Sequence, residues 1–410
     1  MITQKRLRVY PWLVLATTWS IIAINIFSRQ GWQGGFGQII GQDFLSYYSA
    51  GWLYRQDIQH LYDISAQGGV EQALISPTKL EGVIPFISPP YVALAYGPFT
   101  LLPFPAAFAF WQVVSLLCAL IAVAWLVRLM PPRLHRSGLP GWQWLIILLS
   151  FFPLVQGWLV GQNHTLTLLL LAGVLLFTLQ DRPALAGAMA GLILYKPQFV
   201  LGFLIMWAVW RQWKSLLGFT GVAVLWAGLV VLQHGIGPYQ TYLAGIQNIL
   251  QIQSGPGFPD YLLITPYGLL ITLLPETTQP MLQWIPQVFL ILTAMLLAWL
   301  AWRSKSQPLE ERLPALTLAA LFPLIATPHA LLHDLLVLVP VLALMAWYAE
   351  SRFLAATAVT LYLGSLALPS LAYFLRVAVL AIFPILLFLG FLRQIFLQKA
   401  KSKTEQGADR

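Results

Sequence analysis

The chain has 410 residues, 59% of them hydrophobic and only 9% charged. A soluble domain carries roughly 25% charged residues, so this composition excludes one and points to a polytopic membrane protein. The net charge of +9 does not make it a nucleic-acid binder, because the cations are scattered through short loops rather than gathered into a patch or arm.

In chain order, Lys5, Arg6 and Arg8 precede an apolar run over 10–27 with no small-x-small cleavage site after it. An uncleaved first span is therefore expected rather than a secretory signal. A long first outer loop, 28–105, follows. It opens on the glycine-rich GWQGGFG at 31–37 and continues as an amphipathic helix. Phe44, Tyr47, Tyr48, Trp52 and Tyr54 are spaced there to lie in the membrane–water interface. Further apolar runs at 106–127, 142–157, 164–180, 184–195, 198–210, 215–232, 283–302, 314–327, 334–349, 353–368 and 374–392 bring the expected spans to twelve. Two more, 91–104 and 261–275, are interrupted by prolines and read as re-entrant or interfacial pieces. The expected fold is an all-α polytopic bundle of about twelve transmembrane helices. It forms one domain over 1–398 with a polar, disordered tail at 399–410. No internal repeat is evident, and the single cysteine, Cys118, has no disulfide partner.

Twelve spans put both termini on one side, and the Lys/Arg bias says which. With the termini in the cytoplasm, 18 of the 23 cations fall inside. Only Arg29, Arg55, Lys79, Lys196 and Arg376 fall outside, although the outer loops are the longer ones.

This orientation places most of the unusual polar groups at the outer ends of spans. Asp43 stands just before the interfacial helix, where a solvated or helix-capping aspartate is the plain alternative. Gln162, Asn163 and His164 form a tight turn between two spans, Lys196 sits in a Tyr-Lys-Pro turn between two short helices, and His329, His333 and Asp334 occupy the turn TPHALLHD. Arg376 falls in the first turn of the last span. Ionisable groups at such depth are costly and usually line a cavity, so one cavity opening outward is expected. An isolated lysine near a helix end can instead snorkel to the interface. His329 and His333, four apart, would share a helix face, but no third histidine follows and H-E-x-x-H is absent, so no metal site is expected.

Four pieces carry a resemblance: DFLSYYSAGWLYRQDIQHLYD at 43–63, ISPPYVALAYGPFTLLPFPAAFAFWQ at 87–112, GQNHTLTLLLLAGVLLF at 161–177 with AGAMAGLILYKPQ at 186–198, and TPHALLHDLLVLVP at 327–340. In this order they resemble the polyprenol-phosphate-mannose-dependent mannosyltransferases, glycosyltransferase family 87. Nothing diagnostic follows from Arg376 onward, and the later outer loops are short.

The resemblance implies a GT-C membrane glycosyltransferase with an outward active site and a lipid-linked sugar donor. It also implies a general base in the first outer loop, falling on Asp43, and an assisting histidine in a late loop, His329 with His333 in reserve. A polyprenyl phosphate is already a good leaving group. One carboxylate to deprotonate the acceptor and cations such as Lys196 and Arg376 to hold the phosphate would then suffice. Gln162, Asn163, His164, His333, Asp334, Tyr47 and Tyr48 are further candidate substrate contacts. One base without a covalent nucleophile implies inversion, and neither cofactor nor metal is called for.

The expected partners are the polyprenyl-phosphate sugar, a glycolipid or glycan acceptor and membrane lipids, with no nucleic acid. The expected location is the plasma (inner) membrane. A transporter or lipid flippase is the main rival, since a buried lysine between discontinuous helices suits one, but related halves are missing. An intramembrane metalloprotein using His329, His333 and Asp334 is the third reading.

Overall fold

Apolar runs in lipid satisfy their backbone groups internally, and this chain does so entirely with helices. The computed structural model describes residues 4–132, 139–254 and 259–408. It is 78% helical, with no strands among the described residues. In chain order the helices are α1 (Gln4–Phe27), α2 (Gln42–Gln56), α3 (Ile64–Ile75), α4 (Pro90–Tyr96), α5 (Phe104–Leu129), α6 (Gly141–Leu149), α7 (Phe152–Val160), α8 (His164–Leu179), α9 (Pro183–Leu192) and α10 (Gln198–Trp210). There follow α11 (Trp213–His234), α12 (Gly237–Ser254), α13 (Pro266–Leu273), α14 (Gln279–Leu282), α15 (Ile285–Ser304), α16 (Leu309–Ala326), α17 (Leu338–Met345), α18 (Ser351–Leu375) and α19 (Ile382–Ala408).

The twelve apolar runs fall largely on helices, although 142–157 is split between α6 and α7 and 374–392 begins in the end of α18, and the helices are of two kinds. Among the described residues six are long and apolar enough to cross a membrane: α1 from Lys5, α5, α11, α15, α18 from Arg352, and Val379–Phe396. A seventh crossing is added if α6 and α7, bent by 61°, form one broken span. No more than half of any long helix is buried in the protein, and only 11% of α11 is, so these helices turn most of their surface outward. Other helices, α16 among them, are the protected ones. Every residue of α16 from Ala315 to Ala326 is buried, as a central helix requires. Hydropathy counts both kinds alike, because protein interior and lipid are equally apolar.

Small residues bring α9 and α11 into close contact. A Cβ at Gly187 would collide with the Ser215 carbonyl, and one at Gly218 with the Ala184 carbonyl. Such stripes are how helices associate where apolar burial alone gives no preference.

The first loop is a folded cap rather than a helix lying in an interface. Phe44, Tyr48 and Tyr54 are buried in an aromatic core shared with Phe86, Tyr96 and Trp111. Of the five aromatic residues expected at the membrane surface, only Trp52 is exposed, at 38%. A Cβ at Gly51 would sit 2.8 Å from the Tyr96 carbonyl, so α2 and α4 pack backbone to backbone. Asp63 caps α3, its carboxylate accepting the amides of Ser65 and Ala66 at 2.8 and 2.9 Å. Buried Gln67 and Glu71 accept the amides of Phe86 and Ile84 and tie down the extended stretch before α4.

Two inside cations, Arg133 and Arg136, lie outside the described residues. So do the side chains of the 399–410 tail, through which the α19 backbone runs to Ala408.

A candidate active site at the rim of the first-loop cap

The amino end of α2 docks on the α7–α8 turn. The Gly41 amide donates to the Leu159 carbonyl at 3.0 Å, and the Trp111 indole donates to the Gly161 carbonyl at 2.9 Å. Gly161 turns the chain at φ 73°, where a side chain would be strained and would also strike Phe44. This contact delivers Asp43, in the first turn of α2, to Gln162. Asp43 does not cap the helix, since Gly41 holds that position.

The hydrogen bonds orient one another. Gln162 Oε1 accepts both the Tyr47 hydroxyl and the Asn163 amide at 2.9 Å, which leaves its Nε2 to donate to Asp43 Oδ2 at 2.9 Å. Asp43 Oδ1 stays available to another donor. Asn163 Nδ2 donates to the Tyr47 oxygen at 3.3 Å, and Asn163 Oδ1 is buried without a partner among the described residues. Thr167 and Tyr195 share a hydrogen bond of 2.8 Å at the next position along.

A second half comes from the late turns. Lys196 Nζ donates to Asp334 Oδ1 at 2.7 Å, and the two side chains are only 14% and 7% exposed. Asp334 Oδ2 accepts the Leu331 amide at 3.1 Å, and His333 Nε2 lies 3.7 Å from Oδ1. The two halves are electrostatically one site. Burial pushes the Asp43 carboxyl up to about 6, with the positive charge of Lys196 and the Gln162 hydrogen bond opposing this and the negative charge of Asp334 adding to it. Burial also holds His329 below the usual histidine range, with Asp334 opposing, so at neutral pH its imidazole is uncharged.

Not every expected contact faces this cluster. Tyr48 turns away, its hydroxyl on the Leu102 carbonyl at 2.8 Å inside the cap core. His164 is a brace, with one ring nitrogen 3.0 Å from the Gln162 carbonyl and the other 2.9 Å from that of Leu154. Gly157 makes room for that ring, since a Cβ there would sit 2.7 Å from it. His329 and His333 share no helix face, because the 3-10 turn Leu332–Val337 begins after His329. Arg376 is not inside the last span but at the C-cap of α18, exposed, its guanidinium 4.8 Å from the ring centres of Tyr261 and Tyr373. It reaches the cluster only indirectly, through the segment after Tyr261, where the Ile264 amide bonds the Ala330 carbonyl. Tyr195 and Thr167 are the residues that sequence reading missed. Their signal was position, one beside Lys196 and the other a turn beyond Asn163.

The family model for glycosyltransferase family 87 matches residues 86–328, more than half of the chain. The chain belongs to that family. The matched stretch contains Gln162, Asn163, Tyr195 and Lys196, while Asp43 and Asp334 lie on either side of it. No curated protein and no solved structure matches. A family 87 member is a glycosyltransferase, and its several apolar helices make this one a multi-pass membrane protein. A glycosyltransferase takes a sugar from a donor to an acceptor, and the cluster brings together a carboxylate, an ammonium group and polar side chains.

A cavity of about 430 Å³ lies elsewhere, between Arg128, Gln180, Glu310 and Trp347. Arg128 is in the last turn of α5, whereas the first turn of that helix abuts the cap, so this cavity is at the opposite end of the bundle. A smaller one, about 280 Å³, lies behind Gly41 between Ile40, Phe108, Gln112 and Arg29. Neither is lined by Asp43 or Lys196.

Proposed function

We propose that this protein transfers a hexose, mannose by its resemblance, from a polyprenyl-phosphate donor to an acceptor hydroxyl on the outer face of the plasma membrane. The observation that carries the reading is that Asp43, held by Gln162, lies within electrostatic range of the Lys196–Asp334 pair, although these residues come from segments more than a hundred residues apart.

Asp43 Oδ1 takes the proton of the acceptor hydroxyl as its oxygen bonds the anomeric carbon. The bond from that carbon to the donor phosphate breaks, and the electron pair leaves with polyprenyl phosphate. A carboxyl held near 6 is ionised at neutral pH yet basic enough to accept a proton in the transition state. Lys196 has three N–H donors, so it can bind the departing phosphate while keeping its bond to Asp334. The buried Asn163 Oδ1 suits a sugar hydroxyl, and neutral His329 can add a hydrogen bond at the rim. Without a second carboxylate acting as nucleophile, the displacement is single and inverting.

In this reading all twelve apolar helices cross or deeply enter the membrane, and the arginine-rich end faces the cytoplasm with both termini. Purified protein given a short-chain polyprenyl-phosphate mannose and an acceptor is expected to release polyprenyl phosphate and form product of inverted anomeric configuration, undiminished by chelator. A retained configuration, or solute flux across vesicles without transfer, would count against it.

A further inference from the structure

Four tyrosines outside the catalytic cluster converge at its edge. Tyr62 follows α2, Tyr91 lies in α4, and Tyr239 and Tyr242 are in α12, nearly 150 residues further along the chain. Tyr62 and Tyr242 are in ring contact at 5.4 Å, and Tyr62 stacks on Phe86 at 6.0 Å. Each of Tyr62 and Tyr91 is near enough to Tyr239 and Tyr242 to feel a charge on them.

Unlike the aromatic residues of the cap core, all four are only partly buried. The strip joins the cluster without a break. The Tyr91 hydroxyl bonds the Leu194 carbonyl at 2.8 Å, and Leu194 is followed by Tyr195 and Lys196. Tyr195 in turn meets Thr167, one helical turn from Asn163. The hydroxyls of Tyr62, Tyr91 and Tyr239 each donate to a backbone carbonyl, of Ser88, Leu194 and Ala227, which leaves their oxygens as acceptors. A row of partly exposed rings with such oxygens, leading away from a base, matches carbohydrate, whose C–H faces stack on aromatic rings and whose hydroxyls need acceptors. Tyrosine offers both at little cost in side-chain entropy. A lipid tail would need none of the hydroxyls.

We propose that this tyrosine strip is an acceptor subsite for an oligosaccharide, whose terminal hydroxyl reaches Asp43 while the preceding residues lie along Tyr91, Tyr62 and Tyr242. The inference rests on the transferase reading and extends it, making the acceptor a saccharide of at least two or three residues.

Binding tests it apart from turnover. Full-length Asp43→Asn protein in nanodiscs would be examined by saturation-transfer NMR with mannose, mannobiose, mannotetraose, maltotetraose and cellotetraose. At least one tetrasaccharide is expected to bind about 10-fold more tightly than the monosaccharide. Tyr242→Ala is expected to remove that advantage, and Tyr242→Trp, which keeps an aromatic face and guards against misfolding, to retain it. Failure of every oligosaccharide to bind, or binding unchanged in Tyr242→Ala, overturns the subsite. The transferase reading stands or falls separately, on release of polyprenyl phosphate by the unmodified protein.

Discussion

The two ends of the bundle both carry charge, but they hold it differently. Within the Asp43 cluster the charged groups are few, largely buried and fixed by partners from distant parts of the chain, as in the Lys196–Asp334 pair. At the other end cations are abundant, and some lie on tryptophan rings rather than against carboxylates. Arg303 is exposed over the Trp299 ring at 5.0 Å, and Arg312 lies over Trp210 at 5.6 Å with its guanidinium bonded to backbone carbonyls. The contrast separates two uses of charge: one needs only the right sign on the right side of a membrane, the other needs a given atom at a given place.

Substitutions can break that contrast if it is wrong. The largest effect is expected at Asp43, where Asp43→Asn keeps the shape and removes the base. Transfer should fall by roughly 10³-fold, measured as release of polyprenyl phosphate. The same carboxylate sets the pH profile. Its ordinary value is 3.8 and burial raises it to about 6, so the protonated, inactive form accumulates as pH falls through that value. The kcat/KM of the unmodified protein should therefore drop below about pH 6. A profile flat from pH 5 to 7, roughly the range over which such a group must titrate, would remove Asp43 from the mechanism.

Lys196→Ala is expected next, at about 10²-fold in kcat, with Lys196→Arg partly restoring the rate. Asp334→Asn should act on stability as well, because it leaves a mostly buried ammonium without its counterion. A loss of about 3 kcal/mol is expected in thermal or denaturant unfolding. The double variant Lys196→Leu with Asp334→Leu sharpens the point: it should recover most of that stability and none of the activity. The smallest effect belongs to the other end, where Arg303→Lys and Arg312→Lys should each change stability by less than about 0.5 kcal/mol and leave transfer intact. A large loss of activity from either would mean that the two ends do not differ as described.

Much of this was legible in the sequence, in a particular way. Hydropathy located most of the helices but not α12, and it did not show the break between α6 and α7; a run of leucine and valine must be shielded from water whether by lipid or by protein. For the same reason it did not separate the long outward helices from buried ones such as α16. The first-loop aromatics failed on the same ambiguity: Phe44 and Tyr48 look like a membrane belt in sequence, yet they fill a protein core. Polar residues at helix ends marked Asp43, Gln162, Lys196 and Asp334 as candidates, because an ionisable group among apolar residues needs a reason. Their pairing was not legible. Lys196 and Asp334 are 138 residues apart, and no local pattern announces a contact made by tertiary packing. Arg376 shows the converse, a charge whose sequence position suggested depth but whose left-handed backbone ends a helix at the surface.

The seam between the cap and the α7–α8 turn bears on any attempt to recombine this enzyme with a homologue. Gly41, Phe44 and Trp111 on one side and Leu159 and Gly161 on the other fit as a single joint, with no space for a side chain at Gly161. A chimera that exchanges residues 28–105 alone would split that joint and set its imported carboxylate against a foreign Gln162. Exchanging the 157–164 stretch together with residues 28–111 keeps the matched surfaces, Trp111 included, in one piece, which makes the two segments a single module for design although they lie far apart in the chain.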